Sequence, residues 1–284
     1  MTETLREALR RASQTLAAAG SDEAVLEAEI LLAHALGIDR AHLYQRLSDD
    51  LPPDAATAFD AFLRRRLAHE PVPYILGRKE FFGLEFEVAP AAIIPRPETE
   101  TLVELVLGFV SERGLATLRI ADIGVGCGAI AVALAVSLPQ SEVIAVDVSP
   151  DALALARRNA ERHGVAERID FCQGDLLAPL EVRVDVIAAN LPYVRSADFE
   201  ALPPEIREHE PRLGLDGGPD GLRLIERLLR DAPAYLNPGG ALFAEIGEEQ
   251  GEAALALART YFPQAQIAIE QDLSGLDRVL VVYR

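Results

Sequence analysis

The second half of the chain alternates between short apolar runs and stretches in which apolar residues recur at helical spacing. The runs predict strands at 118–123, 142–147, 168–172, 184–189, 241–246, 266–270 and 278–283. The stretches between them predict helices at 129–138, 150–163, 221–235 and 248–261. Continuous apolar strands are typical of a parallel sheet covered on both faces. This alternation therefore predicts a doubly wound α/β domain, with the proline- and glycine-containing stretch 202–219 as a loop over its site.

The first 70 or so residues show helical periodicity only. One helical face is formed by Leu5, Ala8, Leu9, Ala12 and Leu16. We expect Ser21 to cap a second helix, whose apolar face is formed by Val25, Ala28, Leu32 and Leu36. Two further helices are predicted at 41–46 and 53–69. The pattern predicts a small helical bundle that serves in partner recognition or, alternatively, only stabilises the chain.

The segment that follows the bundle contains several prolines. Pro71 to Gly77 is predicted to be hinge-like, since proline restricts both itself and its predecessor. Residues 80–86 predict two short strands around Gly83. Arg96 is held between two prolines, and Pro97 suits the first turn of a following helix.

A glycine-rich loop, Asp122-Ile123-Gly124-Val125-Gly126-Cys127-Gly128, joins the first predicted strand of the α/β domain to a helix. Its glycines allow a ligand to approach the backbone closely, next to the free N–H groups of a helix N-terminus. The loop also fits the dinucleotide pattern G-x-G-x-x-A, which ends at Ala129. The glycines alone therefore suit either NAD or S-adenosylmethionine.

Carboxylates around this loop refine the cofactor prediction. Asp147 ends the second strand, where a carboxylate can accept hydrogen bonds from ribose hydroxyls. Asp175 and Leu176 follow the third strand and are expected to border an adenine, although Asp175 also suits a plain turn or helix cap. Asp122 would repel a pyrophosphate but suits the cationic amino-acid part of S-adenosylmethionine. Asp122 therefore favours a methyl donor over NAD, and Cys127 is interpreted as an apolar filler.

Asn190-Leu191-Pro192-Tyr193 follows the buried strand 184–189, at the sheet edge where ligands bind in such folds. The Asn190 side-chain oxygen and the Leu191 carbonyl can accept both N–H hydrogens of a planar amide. Pro192 restricts Leu191, and Tyr193 is expected to pack on the planar group. This arrangement would orient a poorly nucleophilic nitrogen for in-line methyl transfer. The alternative is a strand-end turn in which Asn190 is only a local cap.

The composition of the chain excludes some classes of binding partner. The 284 residues carry a formal charge of −18, which gives no electrostatic footprint for nucleic acid and suits a basic protein partner. No apolar run reaches the roughly 18 residues of a membrane span, and the N-terminus does not look like a signal peptide. Two cysteines indicate a reducing cytoplasm, and the five histidines show no metal-ligand spacing, so no metal is expected.

These residues together resemble the bacterial glutamine methyltransferases that modify the Gly-Gly-Gln tripeptide of class-I peptide chain release factors. The resemblance covers nearly the whole chain. Its most specific segment is Ile94-Pro95-Arg96-Pro97-Glu98-Thr99-Glu100. The other matching segments are Pro73 to Gly77, Asp122 to Ile130, Asp147, Glu210-Pro211, Gly217-Gly218, Asp220 to Leu222, Glu245 to Gly247 and Asp277-Arg278.

The resemblance implies a fold, a cofactor and a substrate. The expected fold is a Rossmann-like, seven-stranded methyltransferase domain with an antiparallel last strand (97–284), after a helical substrate-recognition domain (1–72) and a β-hairpin linker (73–96). The expected cofactor is S-adenosylmethionine, converted to S-adenosylhomocysteine. Its expected contacts are Asp122, Gly124, Val125, Gly126, Cys127, Gly128, Asp147, Asp175, Leu176 and Asn190. The substrate amide would be held by Asn190 to Tyr193.

Two positions depart from the family pattern. Leu191 stands where relatives carry the first proline of Asn-Pro-Pro-Tyr, so the carbonyl is kept while the backbone gains freedom and an N–H. Leu176 stands where some relatives carry an aromatic residue. Competing interpretations are an adenine-amino methyltransferase acting on nucleic acid, an NAD-dependent oxidoreductase, and an inactive module that only binds the cofactor.

Overall fold

The computed structural model describes residues 3–115 and 117–284. The helices are α1 (Leu5–Ala18), α2 (Ala24–Leu36), α3 (Arg40–Gln45), α4 (Pro53–Leu67), α5 (Val72–Leu76), α6 (Glu100–Glu112), α7 (Ala129–Ser137), α8 (Pro150–Arg162), α9 (Pro204–His209), α10 (Arg223–Tyr235) and α11 (Gly251–Tyr261). The strands are β1 (Arg78–Phe81), β2 (Leu84–Glu87), β3 (Arg119–Ile123), β4 (Glu142–Asp147), β5 (Ile169–Gln173), β6 (Val184–Ala189), β7 (Val194–Arg195), β8 (Asp216–Gly218), β9 (Leu236–Glu245), β10 (Gln266–Gln271) and β11 (Asp277–Tyr283).

The chain forms two compact units. The helical unit runs to Gly77 and also takes in Pro203–His209. The second, α/β unit comprises Arg78–Leu202 and Glu210–Arg284. Within the residues described, we find no helix that has both the length and the apolar character of a membrane span.

The helical unit buries the predicted face of α1, with Leu5, Ala8, Ala12 and Leu16 in its core. Two details of α2 differ from the prediction. Val25 is 59% exposed, whereas Ala28 and Leu32 of the predicted face are buried as expected, together with Leu31. The Ser21 hydroxyl does not cap the helix but donates to the Glu27 carboxylate at 2.9 Å.

The hinge predicted at Pro71 to Gly77 is wrong, because Val72–Leu76 forms the short helix α5. Pro73 lies in the first turn, where the N–H that proline lacks would have no helical partner. Gly77 then ends the helix in the left-handed region, with φ of 71°. The same prolines that suggested a hinge therefore start a helix.

The loop predicted at 202–219 is also wrong in part, since it contains α9 and the short strand β8. The helix α9 belongs to the helical unit. His209 Nε2 lies 2.9 Å from the Ala68 carbonyl, and Glu205 lies 3.8 Å from the Arg66 guanidinium, which also donates to Glu27. Strand β8 pairs with β7 in the α/β unit.

All seven strands predicted for the α/β domain are present in one sheet, in the order β10-β11-β9-β6-β3-β4-β5. Only β11 runs antiparallel to its neighbours β9 and β10. Strand β9 begins earlier than predicted, at Leu236, because a shift in the β6–β9 register absorbs the glycine-containing stretch before Ala241. The Rossmann-like α/β fold with an antiparallel last strand is thus confirmed.

Neighbouring residues of each central strand lie on opposite faces of the sheet. Ile120 of β3 packs with the cluster that includes α6, α7 and α8, while Ala121 packs with the cluster that includes α10 and α11. Both residues are fully buried. Covering on both faces explains why these strands are apolar throughout, and it leaves the strand ends as the places where polar groups reach a ligand.

The β1–β2 hairpin packs within the α/β unit. Phe81 and Phe86 lie in the same apolar cluster as Ile120. The fully buried Asn159 of α8 bonds both the N–H and the carbonyl of Glu87, and its amide also donates to the Cys127 carbonyl at 2.8 Å. One side chain therefore connects the hairpin to the glycine loop.

Candidate active site

A cavity of about 800 Å³ lies at the carboxyl ends of β3, β4 and β6. The residues of the predicted site that line it are Gly124, Gly126, Asp147, Asp175, Leu176, Asn190, Leu191 and Pro192. The predicted residues that do not line it are Asp122, Val125, Cys127, Gly128 and Tyr193. The structure thus brings the glycine loop and the Asn190 segment to one cavity.

The glycine loop depends on missing side chains at two of its positions. A Cβ on Gly128, where φ is 89°, would lie 3.1 Å from the Cα of Ala156, so this glycine lets α7 and α8 approach closely. A Cβ on Gly124, where φ is 80°, would lie 3.0 Å from a methyl group of Leu191. The loop is therefore fitted to α8 on one side and to the Leu191 side chain on the other.

Asp147 holds the loop and still has free acceptor capacity. Its Oδ2 accepts from the Gly126 N–H at 3.0 Å, and its Oδ1 accepts from the Ser149 N–H at 2.9 Å. A carboxylate offers about four lone-pair sites, so each oxygen can accept a further bond. Asp147 lines the cavity, which makes it a suitable acceptor for ligand hydroxyls.

Asp122 lies beneath the loop and has no exposed surface. Its Oδ2 accepts from the Ala131 N–H at 2.9 Å, while within the described parts of the chain its Oδ1 has no hydrogen-bond partner. Burial, with a smaller contribution from the nearby Asp147, raises the pKa of Asp122 to about 7. The carboxyl is therefore poised to change protonation near neutral pH.

Cys127 is 3% exposed, and burial raises the pKa of its thiol to about 12. The thiolate is the reactive form of cysteine, so this thiol is inert at neutral pH. The position and protonation of Cys127 agree with its interpretation as an apolar filler.

At the far side of the cavity, Leu176 is 7% exposed and takes a left-handed backbone conformation, with φ of 51°. Such a value is unusual for leucine. Asp175 forms an ion pair with Arg227 at 2.6 Å, a partner on α10 that the sequence pattern does not predict. Leu213 also lines the cavity and is 65% exposed.

Asn190 belongs to a chain of hydrogen bonds that leads away from the cavity. Its Nδ2 donates to the Thr99 hydroxyl oxygen at 3.0 Å. The Thr99 hydroxyl donates to Glu245 Oε2 at 2.6 Å, and the Tyr193 hydroxyl donates to Glu245 Oε1 at 3.0 Å. Thr99 and Glu245 are almost fully buried. We call these four side chains the amide network.

Burial raises the pKa of Glu245, against the lowering effect of its bonds from Thr99 and Tyr193. Burial, with the neighbouring Glu245 adding to it, also raises the pKa of Tyr193, so its hydroxyl keeps its proton. Sequence reasoning assigned no role to Thr99 or Glu245. Both lie in segments that carry the family resemblance, and this is the signal that could have found them.

A second buried carboxylate holds the segment before α6. Glu210 is 5% exposed, pairs with the Arg96 guanidinium and accepts from the Ile94 N–H at 3.2 Å. The residues that follow it, Pro211 to Gly214, line the cavity. Glu210 therefore ties one wall of the cavity to the segment that carries Thr99.

The described residues contain no group of three or more His, Cys, Asp or Glu side chains arranged to hold a metal ion.

Two family models match the chain. The model described as the PrmC N-terminal domain matches residues 7–77, and the methyltransferase small domain matches residues 102–204. The first match falls on the helical unit. The second covers β3 to β7, including the glycine loop and the Asn190 segment.

Solved structures share the fold of the α/β unit. The ribosomal protein L11 methylase from Lactobacillus delbrueckii subsp. bulgaricus is 21% identical, with a TM-score of 0.51 over 69% of this chain and 82% of that one. The 16S rRNA N2 G1207 methyltransferase (RsmC) of T. thermophilus, in complex with AdoMet and guanosine, is 18% identical, with a TM-score of 0.52 over 73% of this chain and 49% of that one.

Full-length relatives are much closer in sequence. The release factor glutamine methyltransferase of Geobacter sulfurreducens is 46% identical over 98% of this chain and 95% of its own length. The protein of the same name from Moorella thermoacetica is 44% identical over 99% of both chains. At this identity and coverage, the chain belongs to the release factor glutamine methyltransferase family of enzymes.

Proposed function

We propose that this protein methylates the side-chain amide nitrogen of the glutamine in the Gly-Gly-Gln motif of class-I peptide chain release factors, with S-adenosylmethionine as the methyl donor. The observation that carries the proposal is the Asn190 side chain, whose Nδ2 is occupied by Thr99. Within residues 3–115 and 117–284, its Oδ1 accepts no hydrogen bond from the protein. An acceptor is therefore left at the cavity for a substrate N–H.

The cavity wall suits S-adenosylmethionine. The backbone of the glycine loop, with Val125 and Cys127 between its glycines, can approach the amino-acid part closely. Asp147 has acceptor capacity for the ribose hydroxyls, Asp175 and Leu176 border the adenine, and Asp122 lies under the loop. The bound cofactor supplies an electrophilic methyl group on a sulfonium, and S-adenosylhomocysteine is the product. The RsmC neighbour, which is in complex with AdoMet, supports this assignment.

The residues Asn190 to Tyr193 would act on the acceptor. The glutamine amide nitrogen is a weak nucleophile because its lone pair is delocalised. Asn190 Oδ1 and the Leu191 carbonyl accept its two N–H bonds and favour the positive charge that develops as the N–C bond forms. Bound S-adenosylmethionine would supply the methyl group, with the electron pair of the C–S bond left on sulfur, and the methylated nitrogen would release one proton to water. Pro192 fixes the direction of the Leu191 carbonyl, whereas Tyr193 lies outside the cavity lining and supports the segment through its bond to Glu245 instead of packing on the amide.

The partner would be recognised outside the cavity. We assign partner recognition to the helical domain predicted at 1–72, which in the structure extends to Gly77 and takes in Pro203–His209. We assign a linking role to residues 73–96 and catalysis to residues 97–284. The net charge of −18 suits a basic protein surface. The relatives' name specifies release factors, and a cytoplasmic site of action follows from the cysteine content of the sequence.

The direct test is incubation with methyl-labelled S-adenosylmethionine and a purified release factor, followed by peptide mapping. We expect label on the Gly-Gly-Gln glutamine, and none when that glutamine is replaced by glutamate in an otherwise identical release factor. Label on DNA or RNA would instead favour the adenine-amino methyltransferase. Calorimetric binding of NAD without binding of S-adenosylmethionine would favour the oxidoreductase.

A further inference from the structure

The buried end of the amide network has no part in the chemistry described so far. Thr99 lies just before α6, and Glu245 ends β9, 146 positions later in the chain. We propose that Thr99 and an ionised Glu245 are positioning residues, which keep the Asn190 amide turned so that its oxygen faces the substrate. This inference rests on the proposed function for its kinetic consequence, but its structural part concerns the enzyme alone.

The direction of each hydrogen bond follows from counting protons. An ionised carboxylate only accepts, so Glu245 takes the single hydrogens of Thr99 and Tyr193, at 2.6 and 3.0 Å. The Thr99 oxygen then has only lone pairs to offer Asn190. The group of Asn190 that meets Thr99 must therefore be its NH₂, and Oδ1 is left for the acceptor amide.

A protonated Glu245 removes this constraint. Its own hydrogen can then be donated to the Thr99 oxygen, and the Thr99 hydroxyl hydrogen becomes free to point at Asn190. The Asn190 amide is then equally satisfied after a flip of about 180°, which presents NH₂ instead of oxygen. Two NH₂ groups cannot bond each other, so the flipped form does not hold the glutamine nitrogen.

The groups around Glu245 have opposing effects on its pKa. Burial raises its pKa and the carboxylate of Glu98 acts in the same direction, whereas Arg278 lowers it together with the Thr99 and Tyr193 hydroxyls. Arg278 is held by Asp272 at 3.1 Å. A buried carboxyl with such opposing partners, linked through Thr99 to a residue that lines the cavity, is typical of functional sites.

Kinetics of Thr99 variants test the positioning role. Thr99→Val keeps the shape of the side chain but removes the hydroxyl, so we expect kcat to fall about tenfold while the KM for S-adenosylmethionine stays unchanged. Thr99→Ser restores the hydroxyl and should return kcat to within about twofold of wild type, since it can make the same two bonds. A Thr99→Val enzyme with the wild-type kcat would overturn the inference.

The pH profile tests the role of the charge. We expect kcat of the wild type to fall on the acidic side as Glu245 is protonated. Glu245→Gln cannot be protonated in this range, so its lower activity should lack that acidic limb. Because Asp122 also has a pKa of about 7, both profiles are measured in the Asp122→Asn background, where an acidic limb that persists in Glu245→Gln would contradict the inference.

A measurement without release factor separates this inference from the proposed function. In enzyme labelled at side-chain nitrogen and carboxyl carbon, NMR titration should show the Asn190 amide signals moving at the pH at which Glu245 titrates. Thr99→Val should uncouple the two signals. Coupled titration together with no methylation of release factor would refute the proposed function alone. Independent titration together with normal methylation would refute this inference alone.

Discussion

The two sides of the cavity are built by different means. On the side proposed for the cofactor, the glycine loop offers mainly backbone groups, and its shape depends on side chains that are missing at Gly124 and Gly128. On the side proposed for the acceptor amide, the amide network offers a side chain whose orientation depends on other side chains behind it. Substitutions on the first side should therefore change cofactor affinity or stability, and substitutions on the second side should change the rate of transfer.

The largest effect is expected from Asn190→Ala on the acceptor side. Removing one preorganised group that stabilises developing charge typically costs about 10² to 10³ in kcat, and Asn190 is proposed to orient the nucleophile as well. We expect transfer to release factor to become undetectable or nearly so, while calorimetry shows nearly unchanged affinity for S-adenosylmethionine. A matching loss of cofactor affinity would break the comparison, because Asn190 would then belong to the cofactor side.

The next largest effect is expected on the pH dependence of stability, through Asp122 under the glycine loop. Its folded-state pKa of about 7 lies above its ordinary value, so the folded state retains a proton that the unfolded state has lost. Stability should therefore fall as pH rises from about 4 to 7, by up to about 1.4 kcal/mol for each pH unit. Asp122→Asn keeps an oxygen for the Ala131 N–H and should remove this dependence.

Chemical denaturation between pH 4 and 8 measures the effect. Asp151→Asn is the matched control, since Asp151 is an exposed aspartate on α8. The control should keep the slope of the wild type. Equal slopes in wild type and Asp122→Asn would show that Asp122 is ionised in the folded protein throughout this range.

A smaller effect is expected from Gly124→Ala. The new Cβ would lie 3.0 Å from the Leu191 methyl group, at a φ of 80° that alanine rarely adopts. The strain of about 1 to 2 kcal/mol falls on the loop proposed to hold the cofactor, so affinity for S-adenosylmethionine should drop about tenfold.

Gly164→Ala provides the control for this variant. Gly164 also has a positive φ, 68°, but a Cβ there meets nothing within 4 Å. Gly164→Ala should lower the thermal unfolding temperature about as much as Gly124→Ala does, without altering the affinity for the cofactor. Equal affinity losses in the two variants would mean that the loop is sensitive to general destabilisation and not to its own geometry.

The smallest effect is expected from Leu191→Pro, which restores the family's Asn-Pro-Pro-Tyr. The carbonyl is retained, so kcat should stay within about threefold of wild type. Stability should fall by about 1 kcal/mol, because the buried Leu191 side chain loses packing against Gly124. If kcat were lost while cofactor binding persisted, the N–H of Leu191 would have a role in the reaction.

Most of the α/β fold was predictable from the sequence, because strands that are buried on both faces, such as β3 and β6, consist mainly of consecutive apolar residues. The errors share a physical cause. Pro73 and Pro204 suggested a hinge and a loop, yet each lies in the first turn of a short helix. Proline permits both structures, and tertiary packing decides between them.

Within the candidate site, the sequence pattern pointed to residues that line the cavity but not to the side chains behind them. Asn190 and Asp147 are polar groups at the ends of apolar strands, which is a local pattern. The contact between Thr99 and Glu245 joins residues 146 positions apart, and no periodicity encodes it. The packing of Leu191 on Gly124 could not be predicted either, because the two residues are distant in sequence and their contact depends on the relative positions of β3 and β6.

The helix α9 has a consequence for how this architecture can be recombined. The helical unit is a discontinuous domain, since α9 reaches it from the middle of the chain and contributes Glu205 and His209 to contacts with Arg66 and Ala68. A gene fusion that replaced only the N-terminal segment would leave α9 without its own partners. Exchange of the helical unit between homologous enzymes therefore requires two separate segments to be replaced together, which takes three crossovers in the gene, after Gly77, Leu202 and His209.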